Sequence, residues 1–253
     1  MKKQLILLLL LIGSTVLFAQ KTYLYCGTLL DVNSGKYLSE MTVVVSGNKI
    51  VDIQKGFIVT KTKEDVIIDL KQKTVMPGLI DMHVHIEHQM SPARYIEEYT
   101  LNEADVAFNS VNFAKVTLLA GFTTVRDLGG SGVNVSLRNA INSGKIPGPR
   151  IFTAEKALAT TGGHADPTNG RKRELLGDPG PKEGVVNSID DAKKAVRQRY
   201  KNGADMIKIT ATGGVLSVAK SGQNPQFTVE EIKAITQTAK DYGMHVAAHA
   251  HGN

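Results

Sequence analysis

Two different hydrophobic patterns divide the 253-residue chain. Between residues 21 and 70, short β-branched runs alternate with turn residues and no helical period appears, which is typical of β-structure. Four strands are predicted there, at 23–32, 41–45, 49–53 and 66–70. Ser46, Gly47 and Asn48 separate the second strand from the third and predict a tight hairpin. We therefore expect residues 20–76 to form a small β-sandwich-like subdomain.

From Pro77 onward, apolar strands alternate with amphipathic helices. The predicted strands are 79–85, 122–126, 150–154, 205–210 and 244–249. The predicted helices are 104–119, 133–142, 189–201 and 229–242. The last helix has the clearest boundaries, because Thr228 and Glu231 form a capping box and Gly243 follows as a stop signal. Strands that are apolar on both faces lie in parallel sheets covered by helices, so the pattern predicts an α/β domain over 77–253.

A closed (β/α)₈ barrel and an open doubly wound sheet both begin with such an alternation. Residues 77–253 number 177 and hold five predicted strands, whereas a complete barrel needs about 250 residues and eight strands. The sequence also stops at Asn253, directly after a strand and before the helix that would cover it. We therefore expect an incomplete TIM barrel, with about five of its strands, in a chain that is truncated.

Residues 1–19 have the pattern of a secretory signal peptide. Lys2 and Lys3 precede an apolar stretch over 5–18, and Ala19 offers a small residue for cleavage. The stretch is shorter than the 18 or more residues that a membrane span needs. We therefore predict an exported protein, periplasmic or secreted, with no stable membrane span. An uncleaved N-terminal anchor is the alternative.

The composition excludes several functional classes. The chain has 30 Lys and Arg against 24 Asp and Glu, but its basic residues are scattered, so we expect no nucleic-acid partner. Cys26 is the only cysteine, which excludes an intramolecular disulfide and a cysteine-rich zinc site. A small molecule is therefore the expected partner, and a homo-oligomer stays compatible with the sequence.

The first strand of the α/β segment carries two histidines with metal-ligand spacing. Asp81, His83 and His85 lie two residues apart, so their side chains share one face of a strand. Two imidazoles on one face can bind a metal ion, and Asp81 can orient one of them. The alternative is a pair of partly exposed strand histidines without a ligand.

Charged residues also occur inside the apolar strands. Lys208 lies in the middle of one, where a charged amine needs a partner or a lowered pKa. A neutral lysine amine can react with carbon dioxide, and the resulting carbamate has two oxygens that can bridge two metal ions. The alternative is a lysine that protects an exposed strand edge. Arg126 and Asp127, at the end of another strand, fit a structural ion pair as well as a site role.

Histidines also mark the last strand and a long loop. His245, His249 and His251 share one face of that strand, where we expect His245 to be structural. Residues 155–187 have little periodicity and contain His164 in a Thr-Gly-Gly-His run. Long loops inside compact domains are usually functional, so His164 is a candidate substrate contact. A surface loop histidine is the alternative.

Together, these motifs resemble the amidohydrolase superfamily. The run Val-Met-Pro-Gly-Leu-Ile-Asp-Met-His-Val-His at 75–85 is similar to the start of the barrel in that superfamily. Further motifs narrow the resemblance to imidazolonepropionase-like enzymes and Xaa-Pro dipeptidases (prolidases). They lie at 121–127, 161–164, 207–209 and 247–252. Their combination in this order is more specific than any one of them.

The resemblance implies a binuclear metal site with two Zn²⁺ ions at the C-terminal end of the barrel. By position, His83 and His85 match the first-strand ligands, and Lys208 matches the carboxylated lysine that bridges the ions. His249 matches the fifth-strand ligand, and His251, one step further along the same face, is a candidate substrate contact. Histidine and carbamate ligands suit zinc without excluding other divalent metals.

The expected activity is hydrolysis of a C–N bond, in an amide, dipeptide or cyclic amide, by a metal-activated water. A lactonase or phosphotriesterase-like activity on the same site is one alternative, and an inactive metal-binding remnant is another. The sixth-strand histidine and the eighth-strand aspartate of the family, the latter its general acid/base, have no counterpart before Asn253. The catalytic residue is therefore unassigned, and activity of this chain on its own stays open.

Overall fold

The computed structural model describes residues 20–60, 62–215, 217–218 and 221–251. The predicted signal peptide at 1–19 lies outside these residues, so export stays a prediction. The chain divides into two compact units between Pro77 and Gly78.

The first unit contains one four-stranded sheet. Its strands are β1 (Lys21–Asp31), β2 (Lys36–Ser46), β3 (Lys49–Lys55) and β4 (Val66–Val75), in the spatial order β3-β2-β1-β4. β1 and β2 pair antiparallel, as do β2 and β3, whereas β4 runs parallel to β1. The four predicted strands are therefore present. The described residues of this unit form a single mixed sheet, and Phe57 and Ile58 pack against one of its faces, so the sandwich-like layering stays a prediction.

Apolar residues on both faces of β1 explain how this unit is stabilised. Cys26 packs with Met41 and Val43 on one face, and Tyr23 packs with Val44 on the other. At Gly27 the register between β1 and β4 shifts. A Cβ atom at Gly27 would lie 1.9 Å from the backbone oxygen of Lys71, so this irregularity requires glycine.

The second unit alternates strands with helices. Its strands are β5 (Leu79–Val84), β6 (Phe122–Asp127), β7 (Arg150–Thr153), β8 (Met206–Thr210) and β9 (His245–His249). Its helices are α1 (Arg94–Thr100), α2 (Glu103–Leu119), α3 (Val133–Asn142), α4 (Arg173–Leu176), α5 (Ile189–Asn202) and α6 (Val229–Asp241). The five predicted strands and the four predicted long helices are present, whereas the short helices α1 and α4 were not predicted.

The pairs between the described strands of this unit are parallel. β5, β6 and β7 form one sheet in sequence order, and β8 pairs with β9. The chain beyond β7 continues beside β8, since Leu158 forms a parallel bridge with Ile209. The five strands thus follow each other in space in their sequence order, which confirms the prediction of a parallel α/β arrangement.

Local capping signals set the ends of the later helices. The hydroxyl of Ser188 accepts a hydrogen bond from the backbone of Asp191 at the start of α5, and Gly203 ends that helix in the left-handed region at φ 90°. Thr228 and Glu231 form the predicted capping box of α6. Among the described residues, no helix is long and apolar enough to cross a membrane.

Candidate active site

The candidate site residues lie on the sheet face opposite the helices. Ile207 and Ile209 of β8 are buried in the core with α5 and α6, so Lys208 between them points to the other face. Val84 of β5 likewise packs into the helix-side core, which places His83 and His85 on the opposite face. The strand alternation thus brings side chains from different strands to one surface of the sheet.

The two histidines of the first parallel strand are adjacent and oriented. The ring centroids of His83 and His85 are 5.4 Å apart in an edge-on arrangement. Nδ1 of His85 lies 2.9 Å from the backbone oxygen of Gly129. Because a carbonyl only accepts hydrogen bonds, Nδ1 carries the proton and Nε2 is left with a free lone pair. The carboxylate of Asp81 accepts a hydrogen bond from the backbone N–H of His83.

Lys208 is buried beside this pair. Only 3% of the residue is exposed, and burial lowers the pKa of its amine to about 8, with a further contribution from the nearby charge of Arg126. The pKa of His83 is also lowered, first by burial and then by the charge of Lys208. Lys208 therefore loses its proton more easily than an ordinary lysine, which is the condition for reaction with carbon dioxide.

The last strand and the long loop meet at His249. Its ring lies 4.5 Å from the ring of His164 and 5.6 Å from that of His251, measured between centroids. Nε2 of His249 lies 2.9 Å from the backbone oxygen of Gly213, so Nδ1 is the nitrogen with a free lone pair. The pKa of His164 is lowered by burial and then by the charges of His249 and Lys208. By contrast, His245 is exposed at the start of the strand.

Comparison with known proteins identifies the family of this chain. The family model described as "Amidohydrolase family" matches residues 74–253. The chain belongs to the amidohydrolase family. An ochratoxinase from Aspergillus niger is 31% identical, over 92% of this chain and 51% of its own length.

Solved amidohydrolase structures agree with the fold. A Xaa-Pro dipeptidase with bound methionine in its active site is 54% identical with a TM-score of 0.86, over 92% of this chain and 57% of that one. A prolidase complexed with N-methylphosphonate-L-proline is 35% identical with a TM-score of 0.80, over 92% and 56%. The chain therefore spans about half the length of the amidohydrolases that it matches.

The loop that carries His164 is held in place by residues that the sequence analysis missed. Gln226, between β8 and α6, accepts a hydrogen bond from the backbone N–H of His164 at 2.8 Å. Asp166 is buried and accepts from the backbone of Gly162 and from both the N–H and the hydroxyl of Thr168. A glutamine before a capping box carries no sequence signal for this role, so only the structure identifies Gln226.

A second polar cluster, on the helix side of the strands, was also missed. Asp127 is fully buried and accepts hydrogen bonds from the backbone of Ile86 and from the side chains of Asn134 and Thr153. Burial raises the pKa of Asp127 to about 6. Of the two alternatives for Arg126 and Asp127, the ion pair is not formed, because consecutive strand residues point to opposite faces. Arg126 instead donates through Nε to the backbone oxygen of Met82.

Glu155 extends this cluster toward α5. Its carboxylate lies 2.7 Å from Nε of Arg199, and both side chains are almost completely buried. Asn202 donates to the same carboxylate, while Glu87 accepts from the backbone N–H groups of Ser131 and Asn134. We name this group of side chains the carboxylate cluster; its members are Glu87, Asp127, Asn134, Thr153, Glu155 and Arg199.

Amidohydrolases are generally metal-dependent, which makes the donor groups of this chain relevant. The residues described include no group of three or more His, Cys, Asp or Glu side chains placed to hold a metal ion. They do offer imidazoles whose second nitrogen is bound to a backbone carbonyl, the pattern that orients histidine ligands in metal sites. With Lys208 buried beside them, the donor set fits part of a metal site.

Proposed function

We propose that the protein is a metal-dependent hydrolase that cleaves C–N bonds in small amides or dipeptides. The observation that carries the proposal is the placement of His83, His85, Lys208 and His249. All four lie on the sheet face opposite the helices, with the lysine buried and two rings held by backbone carbonyls. Membership of the amidohydrolase family supports the same reaction class.

The fold proposal concerns the five parallel strands. We propose that β5 to β9 are the first five strands of a (β/α)₈ barrel, since they follow one another in sequence order and alternate with helices on one side. In such barrels the site lies at the C-terminal ends of the strands. His85 follows β5 directly and His249 is the last residue of β9, whereas Lys208 is the central residue of β8 and His164 lies in the loop that follows β7.

The ligand proposal assigns a nitrogen to each oriented ring. His85 would bind through Nε2 and His249 through Nδ1, because their other nitrogens donate to Gly129 and Gly213. His83 and a carboxylated Lys208 would complete the donors that this chain supplies. Two bound Zn²⁺ ions would supply a water of lowered pKa and polarise the scissile carbonyl.

The remaining residues of the site would act on the substrate. His164 packs against the ring of His249, so it would border a substrate bound at that ligand. His251, whose ring is also in contact with that of His249, would do the same. Both can exchange hydrogen bonds with a carbonyl or carboxylate group, as a dipeptide substrate requires.

Zinc binding and hydrolysis by the full chain test this proposal. The variant His249→Gln removes a proposed ligand, whereas His245→Gln changes an exposed histidine of the same strand and serves as its matched control. We expect zinc affinity to fall at least about 100-fold in His249→Gln, beyond the loss caused by removing a mere supporting group. Isothermal titration with ZnCl₂ gives the affinity, and His245→Gln should match the wild type.

Substrates of different bond types separate the reaction classes. The zinc-loaded chain is assayed with Xaa-Pro dipeptides, N-acyl amino acids, lactones and a phosphotriester. C–N hydrolysis that needs His249 and not His245 supports the proposal. Hydrolysis of lactones or phosphotriesters alone contradicts the C–N assignment. Zinc binding without turnover of any substrate contradicts hydrolase activity of this chain on its own, and absence of zinc binding contradicts the metal site itself.

A further inference from the structure

The turn after β8 contacts three of the candidate histidines at once. This turn, Thr212-Gly213-Gly214, matched no sequence motif that we assigned to the site. The backbone oxygen of Gly213 accepts from Nε2 of His249 at 2.9 Å. The hydroxyl of Thr212 accepts from the backbone N–H of His251 at 2.8 Å. Gly214 faces the ring of His164.

Thr212 links the two histidines of β9 through one hydroxyl group. Its oxygen accepts from His251 and donates its own proton to the backbone oxygen of Gly213, at 2.9 Å. That oxygen also accepts from His249. A continuous set of hydrogen bonds therefore runs from the backbone of His251 through the hydroxyl to the ring of His249.

Gly214 makes room for the imidazole of His164. A Cβ atom at Gly214 would lie 2.5 Å from Cε1 of the His164 ring and within 2.8 Å of both ring nitrogens. No side chain fits there while the ring stays in place. The backbone is therefore in direct contact with the His164 ring, whose centroid lies 4.5 Å from that of His249.

Residues 224–226, which lie between this turn and α6, form hydrogen bonds that hold the turn in place. Gly213 donates to the backbone oxygen of Asn224, and Gln226 donates through its backbone N–H to Ala211. A Cβ atom at Gly213 would lie 2.1 Å from the backbone oxygen of Ser221, so glycine is required here as well. Because Gln226 also accepts from the backbone of His164, the same segment fixes both the turn and the loop.

From these contacts we infer that Thr212, Gly213 and Gly214 are positioning residues that set the ring nitrogen of His249 facing the site and couple it to His164. The hydrogen bond to Gly213 stabilises the Nε2–H form of His249, and the close approach of Gly214 to the ring fixes the position of His164. The consequence for metal binding rests on the function proposed above, whereas the ring orientation does not.

Histidine side-chain NMR of the metal-free full chain tests the hydrogen-bonding part. Thr212→Val keeps the shape of the side chain but removes the hydroxyl, and Thr212→Ser restores it. We expect the Nε2–H signal of His249 to broaden or shift in Thr212→Val and to return in Thr212→Ser. An unchanged His249 signal in Thr212→Val overturns the role of the hydroxyl.

Two glycine variants in the same turn region test the packing part. Gly214→Ala places a methyl group inside the His164 ring, whereas Gly222→Ala is the matched control, since its Cβ atom would meet neighbours at ordinary distances of 3.6 Å and more. We expect the His164 ring signals to move in Gly214→Ala only. Equal changes in the two variants overturn the proposed contact.

Zinc titration of the same variants separates this inference from the proposed function. We expect zinc affinity to fall about 10- to 100-fold in Thr212→Val, the usual cost of losing a group that orients a metal-ligating histidine. Thr212→Ser should restore it. A changed His249 signal with unchanged zinc affinity keeps the positioning role and contradicts His249 as a ligand.

Discussion

Two polar clusters occupy opposite faces of the same parallel strands, and they use their hydrogen-bonding capacity differently. On the helix side, the acidic groups of the carboxylate cluster accept hydrogen bonds from backbone N–H groups and from amide and hydroxyl donors, and Glu155 forms an ion pair with Arg199. On the other side lies the basic cluster, which comprises His83, His85, His164, Lys208 and His249. There, one ring nitrogen of His85 and one of His249 each donate a hydrogen bond to a backbone carbonyl, which leaves the second nitrogen of each ring available to a ligand.

Burial shifts the pKa of one group in each cluster, in opposite directions, and in both cases it favours the uncharged form. The pKa of Asp127 is raised to about 6, and that of Lys208 is lowered to about 8. Both shifts favour the neutral form. For Asp127 the hydrogen bonds from Ile86, Thr153 and Asn134 oppose the shift, because each of them stabilises the ionised carboxylate. For Lys208 the neutral form serves reactivity, since a neutral amine can bind carbon dioxide and then a metal ion.

The largest expected effect comes from removing the lysine of the basic cluster. Lys208→Met deletes the amine but keeps an apolar chain of similar length in a buried position. We expect zinc affinity to fall at least about 100-fold, more than the loss of a supporting group causes. The metal-free variant should be more stable toward urea than the wild type, because it no longer buries a charged amine at neutral pH.

Two zinc ions per chain in Lys208→Met would contradict the carbamate assignment. A loss of stability in the metal-free variant would instead show that the amine stabilises the fold. The carboxylate cluster should stay intact in this variant, which an unchanged titration of Asp127 by NMR would check.

The next effect comes from breaking the carboxylate cluster. Arg199→Met leaves the carboxylate of Glu155 buried without its cation, so we expect a loss of about 3–5 kcal/mol in the free energy of unfolding. Urea denaturation measures this loss. The double variant with Glu155→Gln should recover a large part of it, because no buried charge is then left unpaired. Equal stability of the single and double variants would contradict the role of the ion pair.

A smaller effect concerns pH. Since the pKa of Asp127 in the folded chain is about 6, above its ordinary value of 3.8, ionisation costs the folded state. The stability that the protonated form contributes is complete below pH 3.8 and is lost as the pH rises through 6. This one group should account for about 3 kcal/mol over that range.

Comparison with Asp127→Asn isolates that contribution. The variant cannot ionise, so the difference in unfolding free energy between wild type and variant should change by about 2 kcal/mol between pH 4 and 7. Parallel pH profiles of the two proteins would contradict the raised pKa. The basic cluster faces the opposite side of the strands, so its histidine signals should be alike in both proteins.

Features that depend on the local residue pattern, such as strand faces and helix ends, could be predicted from the sequence. Strand alternation alone places His83 and His85 on one face, and the capping box at Thr228 places the start of α6. The same alternation contained the signal that Arg126 and Asp127 point apart, so the ion-pair interpretation was avoidable. Membership of the amidohydrolase family also followed from motifs in the printed sequence.

Contacts between distant segments were beyond the sequence. The pairing of the His164 ring with His249 joins a loop to a strand, and it depends on Gly214 from a third segment. Likewise, the four strands of the first unit were readable from the sequence, whereas the packing of Phe57 and Ile58 against its sheet was not, because no strand pattern marks these two residues.

Glu155 illustrates why no single substitution at a strained position need increase the stability of a protein. It is a non-glycine residue in the left-handed region, at φ 60°, where glycine would relieve roughly 1 kcal/mol of backbone strain. Its carboxylate also neutralises Arg199, and losing that partner costs about 3–5 kcal/mol. Backbone and side chain thus demand different amino acids at one site. A screen for thermostable variants should find position 155 intolerant of every single replacement, and permissive only when position 199 changes with it.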